Sequence, residues 1–337
     1  VDRDLWKSAG ATGLLCLSVP VRYGGGGGSL AYEVVLAEEQ ARAGDTAWGV
    51  TAHGMVAQYL LAHGTEQQKT RWLPGLASGE LVGAIAITEP EAGSDIQNIA
   101  TTAVSDGDEY VVDGGKTFIT NGAQADLLII TVLIDGRISL LVVETGQVSG
   151  FQRGRVLDKI GRHGQDTAEL FFVGMRVPAG NLLGGGAPGR GLSQLGPLMS
   201  MERLLIAVSA VAAMESALEE TVRYVKERAA FGRKVMRYQN TRFTLADCAT
   251  EVAVSRVFLD RCVERFLDGE LELADAAMVK MWTTDRLSGV VDECLQLFGG
   301  YGYLTEFPIA RAWTDARATR IYGGTNEIMR EIISGSL

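Results

Sequence analysis

The chain has no Cys-x-x-Cys pair, and its four cysteines, Cys16, Cys248, Cys262 and Cys294, stand far apart. A zinc ribbon or a thioredoxin-type dithiol needs thiols a few residues apart, so neither is expected; four free thiols in a reducing compartment is the plain reading. His53, His63 and His163 are the only histidines and stand isolated from ligand-like partners, so no metal site is expected. Positive charge is in deficit, with 31 Lys and Arg against 41 Asp and Glu and a net charge of −10. That argues against a nucleic-acid binder, which needs a basic footprint, but leaves room for a phosphate-bearing cofactor met by local basic residues. The longest apolar stretches, residues 127–134 and 204–214, are too short to cross a bilayer, so no membrane span is expected. Val1-Asp2-Arg3-Asp4 has no basic region leading into an apolar one, and no secretory signal is expected.

What is present reads as helical, then β, then helical. Residues 29–43, 46–63 and 65–73 carry apolar positions three or four apart and predict helices. Thr65 with Gln68 fits a capping box, and residues 24–28, five glycines, predict a loop. Residues 81–88, 110–112, 117–120, 127–133, 138–143 and 169–173 read as strands, with hairpin signals at Asp113-Gly114 and Asp135-Gly136. Hairpins imply an antiparallel sheet or barrel, without the βαβ alternation of a dinucleotide fold. The Gly-rich stretch 179–196 predicts a linker. Its literal GxGxxG at Gly184, Gly186 and Gly189 has no strand leading into it and is interrupted by Pro188, so it is not read as a phosphate loop. Residues 199–228, 241–267 and 274–298 predict long helices, the first buried because 204–214 is apolar almost all round, and 328–333 predicts a last one. Long buried helices with short connections suggest a bundle. The expected divisions are an N-terminal helical domain at 1–80, with a further helix upstream left open, a middle β domain at 81–180 and a helical bundle at 181–337.

Five strings stand in order along this layout: Ala86-Ile87-Thr88-Glu89-Pro90-Glu91-Ala92-Gly93-Ser94-Asp95; Lys116-Thr117-Phe118-Ile119-Thr120-Asn121-Gly122; Glu227-Arg228-Ala229-Ala230-Phe231-Gly232-Arg233 with Gln239; Gln296-Leu297-Phe298-Gly299-Gly300-Tyr301-Gly302; and Arg320-Ile321-Tyr322-Gly323-Gly324-Thr325-Asn326-Glu327. Together they resemble the acyl-CoA dehydrogenase family over nearly the whole chain. The resemblance implies an α+β, mainly α, fold: an N-terminal helical domain, a middle antiparallel β domain and a C-terminal four-helix bundle. It also implies FAD as cofactor. Ile85, Ala86, Ile87, Thr88 and Thr120 resemble positions that hydrogen-bond the flavin ring, and Phe118 resembles the aromatic stacked against it. Arg228 resembles the arginine at the FAD pyrophosphate, which a guanidinium suits by charge and shape. Thr325 and Glu327 match positions near the pyrophosphate and adenosine. Phe231, Gln239, Gln296, Gly299 and Gly300 resemble contacts made to a neighbouring subunit's FAD, which implies a homo-oligomer, a dimer of dimers. Ser94 resembles a serine near FAD and the acyl-CoA phosphates. Glu91 replaces a glycine common in the family, which leaves the shape of that loop open.

The implied reaction is α,β-dehydrogenation of an acyl-CoA to the trans-2-enoyl-CoA, with electrons passed to an electron-transferring flavoprotein. It needs a base for the α proton and a donor for the thioester oxygen. Many family members carry the base at the position of Gly323, which has no side chain. The long-chain and isovaleryl-CoA branches place it at the head of the central bundle helix, where Met201-Glu202-Arg203 presents Glu202. Glu202 is therefore the candidate base and the Gly323 N–H the candidate oxygen donor. Ser200, Arg203 and Gly324 are candidate substrate neighbours. A glutamate early in a helix is also favoured by the helix dipole alone. Two other readings stay open: an oxygen-reactive oxidase or monooxygenase on the same scaffold, and a non-catalytic acyl-CoA-binding or assembly subunit. The expected location is the cytoplasm in a bacterium or the mitochondrial matrix in a eukaryote.

Overall fold

Helix α1, Arg3–Ala11, opens the chain, with the Asp2 carboxylate accepting from Asp4 N at 3.1 Å as its N-cap. It was not expected from the sequence, because nine residues are too few to hold a helix in isolation. Tertiary contact supplies the rest: Trp6 is fully buried and its Nε1 donates to Gln124 Oε1 at 3.0 Å. Helices α2, Leu30–Arg42, α3, Val50–His63, and α4, Glu66–Ser78, follow. Gln68 N donates to Thr65 Oγ1 at 3.2 Å and Thr65 N to Gln68 Oε1 at 3.1 Å, closing the capping box. Thr65→Ala should cost about 1 kcal/mol, read as a lower midpoint in urea; an unchanged midpoint would mean that this end of α4 is held from elsewhere. The helix runs on through Pro74, past the predicted stop at 73, because Leu76 and Ala77 are buried and Gly79 closes it at φ 74°. A Cβ at Gly79 would lie 2.2 Å from Trp6 O, so only glycine lets α1 approach.

The computed structural model describes residues Val1–Leu337 and divides into two compact units. The first comprises Val1–Glu33, Ala47–Lys159 and His163–Leu198, and its centre is a seven-stranded sheet. The strands are β1, Gly83–Ala86, β2, Thr102–Asp106, β3, Glu109–Thr120, β4, Leu127–Ile134, β5, Arg137–Glu144, β6, Phe151–Val156, and β7, Thr167–Pro178. Their order is β1-β4-β2-β3-β7-β6, with β5 also paired to β4. Most pairs are antiparallel, but β1 and β2 both pair with β4 in parallel, which the hairpin reading did not anticipate. Asp135 and Gly136, at φ 51° and 69°, make the expected two-residue turn between β4 and β5. Asp113-Gly114 does not turn the chain. Gly114 lies inside β3 at φ 146°, where a Cβ would meet Thr101 Oγ1 at 2.5 Å, and the register against β7 shifts there. This glycine serves a bulge and a close approach. The turn instead lies at Gly107-Asp108, between β2 and β3.

The second unit comprises Val34–Thr46, Ile160–Arg162 and Met199–Leu337. It holds most of α5, Gly191–Glu227, with α6, Gln239–Leu267, α7, Leu273–Phe298, α8, Pro308–Ala316, and α9, Asn326–Ser334. A short hairpin, β8, Ala229–Ala230, and β9, Arg233–Lys234, leads from α5 to α6. The start of α5 lies inside the predicted linker and passes Pro197. Buried Gln194 overrides these local breakers: its Nε2 donates to Leu183 O at 3.0 Å, and its carbonyl meets His63 Nε2 at 3.0 Å. By length and composition α5 could cross a membrane, but most of its apolar stretch is buried inside the structure. Tyr224 of α5 stacks on Phe298 of α7 at 4.1 Å, and Arg256 of α6 bonds Glu215 of α5 and Glu38 of α2.

Candidate active site

Glu202 lies about three turns inside α5, well past its first turn. The helix dipole acts only at the ends, so it does not explain a carboxylate here. Burial raises the Glu202 carboxyl above the ordinary carboxylate range, and the charges of Arg203 and Lys280 pull the other way; no hydrogen bond contributes. The group keeps some accessible surface. It is therefore a carboxylate without a protein partner, open on one side and poised to ionise nearer neutral pH.

The residues around it come from three segments. Ile206 is one helical turn past Glu202, on the same face. A Cβ built on Gly323 would lie 2.5 Å from Ile206 Cδ1, so the turn before α9 packs against this face. Gly323 and Gly324 hold φ 68° and 87°. Arg203, almost fully buried, donates from Nε to Gly323 O at 3.2 Å. Tyr322 N donates to Ala318 O, whereas Gly323 N–H donates to no backbone group and remains available. Gly323→Ala forces a left-handed L-residue and displaces Ile206. It should cost at least about 1–2 kcal/mol in a denaturation experiment; an unchanged stability would show that the turn can relax. Ser200, two positions before Glu202, projects to another side of α5.

Lys280 was not singled out from the sequence, and Asn326 stood only within the fifth string, with no role assigned to it. Lys280 Nζ donates to Gly324 O at 2.8 Å and to Asn326 Oδ1 at 2.9 Å, and both side chains are buried. A lysine inside a long helix reads as a surface residue. The signal that could have found it is its neighbourhood, since Ala276, Ala277 and Thr284, three or four positions away, are all buried.

In the first unit, Ile85 and Ala86 end β1, and Ile87 and Thr88 lie beyond it. The strand stops short of the predicted 88 because Ile87 O accepts from Lys116 Nζ at 3.1 Å and Thr88 O from Thr117 N at 2.9 Å. Lys116 is also bound to Glu89 Oε1 at 2.7 Å and Thr131 Oγ1 at 2.8 Å, and burial lowers its pKa to about 8 against the pull of Glu89. Glu89 further accepts from Ala100 N and Thr101 N. Two residues on, Phe118 is 66% exposed at φ 59°, at a register shift in β3. A bulky residue held in the left-handed region and turned to solvent is uncommon and points to a constraint beyond folding. Thr120 is half-buried at the end of β3, and Ser94 is exposed in the loop after β1. Glu91 is not among the residues with positive φ, and Glu89 and Ala92 exchange backbone bonds around it, so this loop needs no glycine there.

In the second unit, Arg228 is exposed, its guanidinium 5.5 Å from the Tyr301 ring, and it forms no ion pair. Phe231, 98% exposed at φ 50°, tips the β8–β9 turn. Gln239, at the start of α6, and Gln296, Gly299 and Gly300, around the end of α7, are exposed. Thr325 caps α9, accepting from Ile328 N at 3.3 Å, and Glu327 is exposed in its first turn.

Comparison with known proteins agrees along the chain. Family models match in three parts: acyl-CoA dehydrogenase N-terminal domain at residues 1–80, middle domain at 84–175 and C-terminal domain at 189–337. The chain is 44% identical to a long-chain specific acyl-CoA dehydrogenase, mitochondrial, of Sus scrofa, covering 99% of this chain and 79% of that one. A solved acyl-CoA dehydrogenase from Geobacillus kaustophilus is similar with a TM-score of 0.97 and 45% identity, over 100% of this chain and 90% of that one. A structure described as an electron transferring flavoprotein of Acidaminococcus fermentans gives a TM-score of 0.94 and 35% identity, over 99% and 89%. With matches to all three domain models and such identity over almost its full length, the chain belongs to the acyl-CoA dehydrogenase family of FAD-dependent oxidoreductases.

Proposed function

We propose that the chain removes the α proton and the β hydride of an acyl-CoA thioester, giving the trans-2-enoyl-CoA. The observation that carries this reading is Glu202, a partnerless carboxyl with a raised pKa on the face of α5 that meets the Gly323 turn. In this reading Glu202 takes the α proton. The free Gly323 N–H donates to the thioester oxygen as it gains negative charge, and a donor aimed at developing charge is where such sites gain most. Arg203 grips the Gly323 carbonyl and so fixes the turn. Gly324 continues the substrate-facing turn, and Ser94 and Ser200 are assigned to acyl-CoA by resemblance.

FAD, when bound, supplies the hydride acceptor and hands the electron pair to a separate protein. Residues in each unit are assigned to that cofactor by resemblance. The first offers the backbone of Ile85–Thr88, Thr120 and the exposed ring of Phe118 for the flavin. The second offers the unpaired Arg228 guanidinium and the N-terminus of α9, with Thr325 and Glu327, for the pyrophosphate side. Homotetramers are typical of the family, and exposed Phe231, Gln239, Gln296, Gly299 and Gly300 are assigned to a neighbouring copy's FAD. An electron-transferring flavoprotein is the proposed electron acceptor, and the closeness to the long-chain relative favours a long acyl chain.

The test is anaerobic bleaching of the bound flavin's absorbance by acyl-CoAs of graded length. Reduction by long-chain thioesters supports both the reaction and the substrate class. A protein that holds FAD yet is reduced by no acyl-CoA refutes the proposal.

A further inference from the structure

Lys280 is a fully buried ammonium with no carboxylate at ion-pair distance. Its two partners, Gly324 O and Asn326 Oδ1, are neutral. An ionised lysine held this way in a core is costly unless something nearby uses its charge. The partners lie in one turn. Gly324 follows Gly323, whose carbonyl is held by Arg203, and Asn326 begins α9. Asn326 Nδ2 donates in turn to Thr284 Oγ1 at 3.0 Å and Asp285 Oδ1 at 2.9 Å, both on α7. Asp285 also pairs with Arg320, at 2.7 Å, just before the turn. The segment 320–326 is thus fastened to α7 at both ends, with Lys280 at its innermost point.

We propose that Lys280 is a positioning residue for proton abstraction. Through Gly324 O and Asn326 it holds the turn that presents the Gly323 N–H, and its fixed positive charge favours the ionised form of Glu202.

The inference rests on the assignment of Glu202 as base. The charged and titratable groups facing Glu202 are Arg203 on its own helix, Lys280 on α7 and Tyr322 in the turn; Lys280 is opposed by the like charge of Arg203 and favoured by Asp285 of α7, Glu202 and Glu327 of α9. Of the two cations, Arg203 neighbours Glu202 along the same helix, whereas Lys280 reaches it from another element. Burial, with the like charge of Arg203, lowers the Lys280 pKa to about 8, so its charge is present at neutral pH and is lost as pH rises through that value. The sign for Glu202 follows directly. A nearby cation lowers a carboxyl pKa, so removing it raises the pKa, and the carboxylate is then lost at higher pH than before.

The experiment compares wild type, Lys280→Met and Lys280→Arg as holoenzymes, reading the rate of anaerobic flavin bleaching against pH with an acyl-CoA that reduces wild type. FAD content and acyl-CoA affinity are measured alongside. Lys280→Met is expected to keep FAD and affinity, to lose roughly tenfold in rate near neutral pH, and to move the low-pH midpoint up by about one unit. Lys280→Arg, which keeps the charge, should restore the midpoint. If Lys280→Met does not retain FAD, Lys280→Gln, which keeps a neutral donor, takes its place in the same test. An uncharged variant with an unmoved midpoint overturns the inference, however slow it is. If wild type is reduced and Glu202→Gln is inert, only the Lys280 inference has then failed; if Glu202→Gln reacts like wild type, the base assignment has failed and this inference with it.

Discussion

Glu202→Gln should leave FAD bound and slow flavin reduction by acyl-CoA by about 10²–10⁴-fold, the range for loss of a positioned proton acceptor. Glutamine keeps the size and polarity of the side chain and removes only the site that takes the proton. Because Glu202 makes no hydrogen bond or ion pair within the chain, the substitution breaks no direct contact; it removes a nearby opposite charge from Arg203 and Lys280, so stability is measured alongside the rate. A fall in rate at unchanged stability reports chemistry and not folding. The wild-type rate should also fall as pH drops through a midpoint above the ordinary carboxylate range, because burial raises this pKa and only the ionised form accepts a proton. Stopped-flow bleaching across pH reads both effects. A Glu202→Gln protein within tenfold of wild type would mean that another group takes the proton.

The second large effect is expected at Lys116, far along the sequence from Glu202. Lys116→Met removes the cation from a buried pair and leaves the Glu89 carboxylate with only Ala100 N and Thr101 N. Breaking a buried pair from one side typically costs about 3–5 kcal/mol, because the remaining charge stays desolvated. The same ammonium holds Ile87 O and Thr131 Oγ1, so the end of the β1 segment assigned to the flavin ring should loosen as well. The expected result is a large drop in denaturation midpoint together with reduced FAD content. In a double-mutant cycle, adding Glu89→Gln should cost much less than it does alone. A loss below about 1 kcal/mol for Lys116→Met would show that water reaches the pair and screens it.

Much of the layout was legible because its signals are local. The Thr65–Gln68 capping box, the Asp135-Gly136 turn and the long apolar periodicities of α6 and α7 each satisfy their own backbone within a few residues. What failed to show was set by distant contacts. Gly114 has the sequence of a turn, yet is fixed in a strand by Thr101. Helix α1 exists because Trp6 is buried, and α4 and α5 outrun Pro74 and Pro197 because buried residues beyond or before them hold the helix. Helix α8 was missed although Pro308 stands in its first turn, a common signal for a helix start. The site divides in the same way. Glu202 and Gly323 stood out as a chemical pair, one gained where the other was lost. Ile206 and Lys280 are ordinary residues in ordinary helical sequence, Asn326 carries no role of its own within the fifth string, and only the fold brings the three to the Gly323 turn.

The contact between Ile206 and Gly323 also constrains redesign. Any side chain placed at position 323 would bring its Cβ to 2.5 Å from Ile206 Cδ1, in a backbone region that favours glycine. Moving a carboxylate there therefore calls for two adjustments together, a shifted or smaller side chain at 206 and a backbone angle at 323 that an L-residue tolerates. The two positions are coupled through one side-chain methyl on the neighbouring helix.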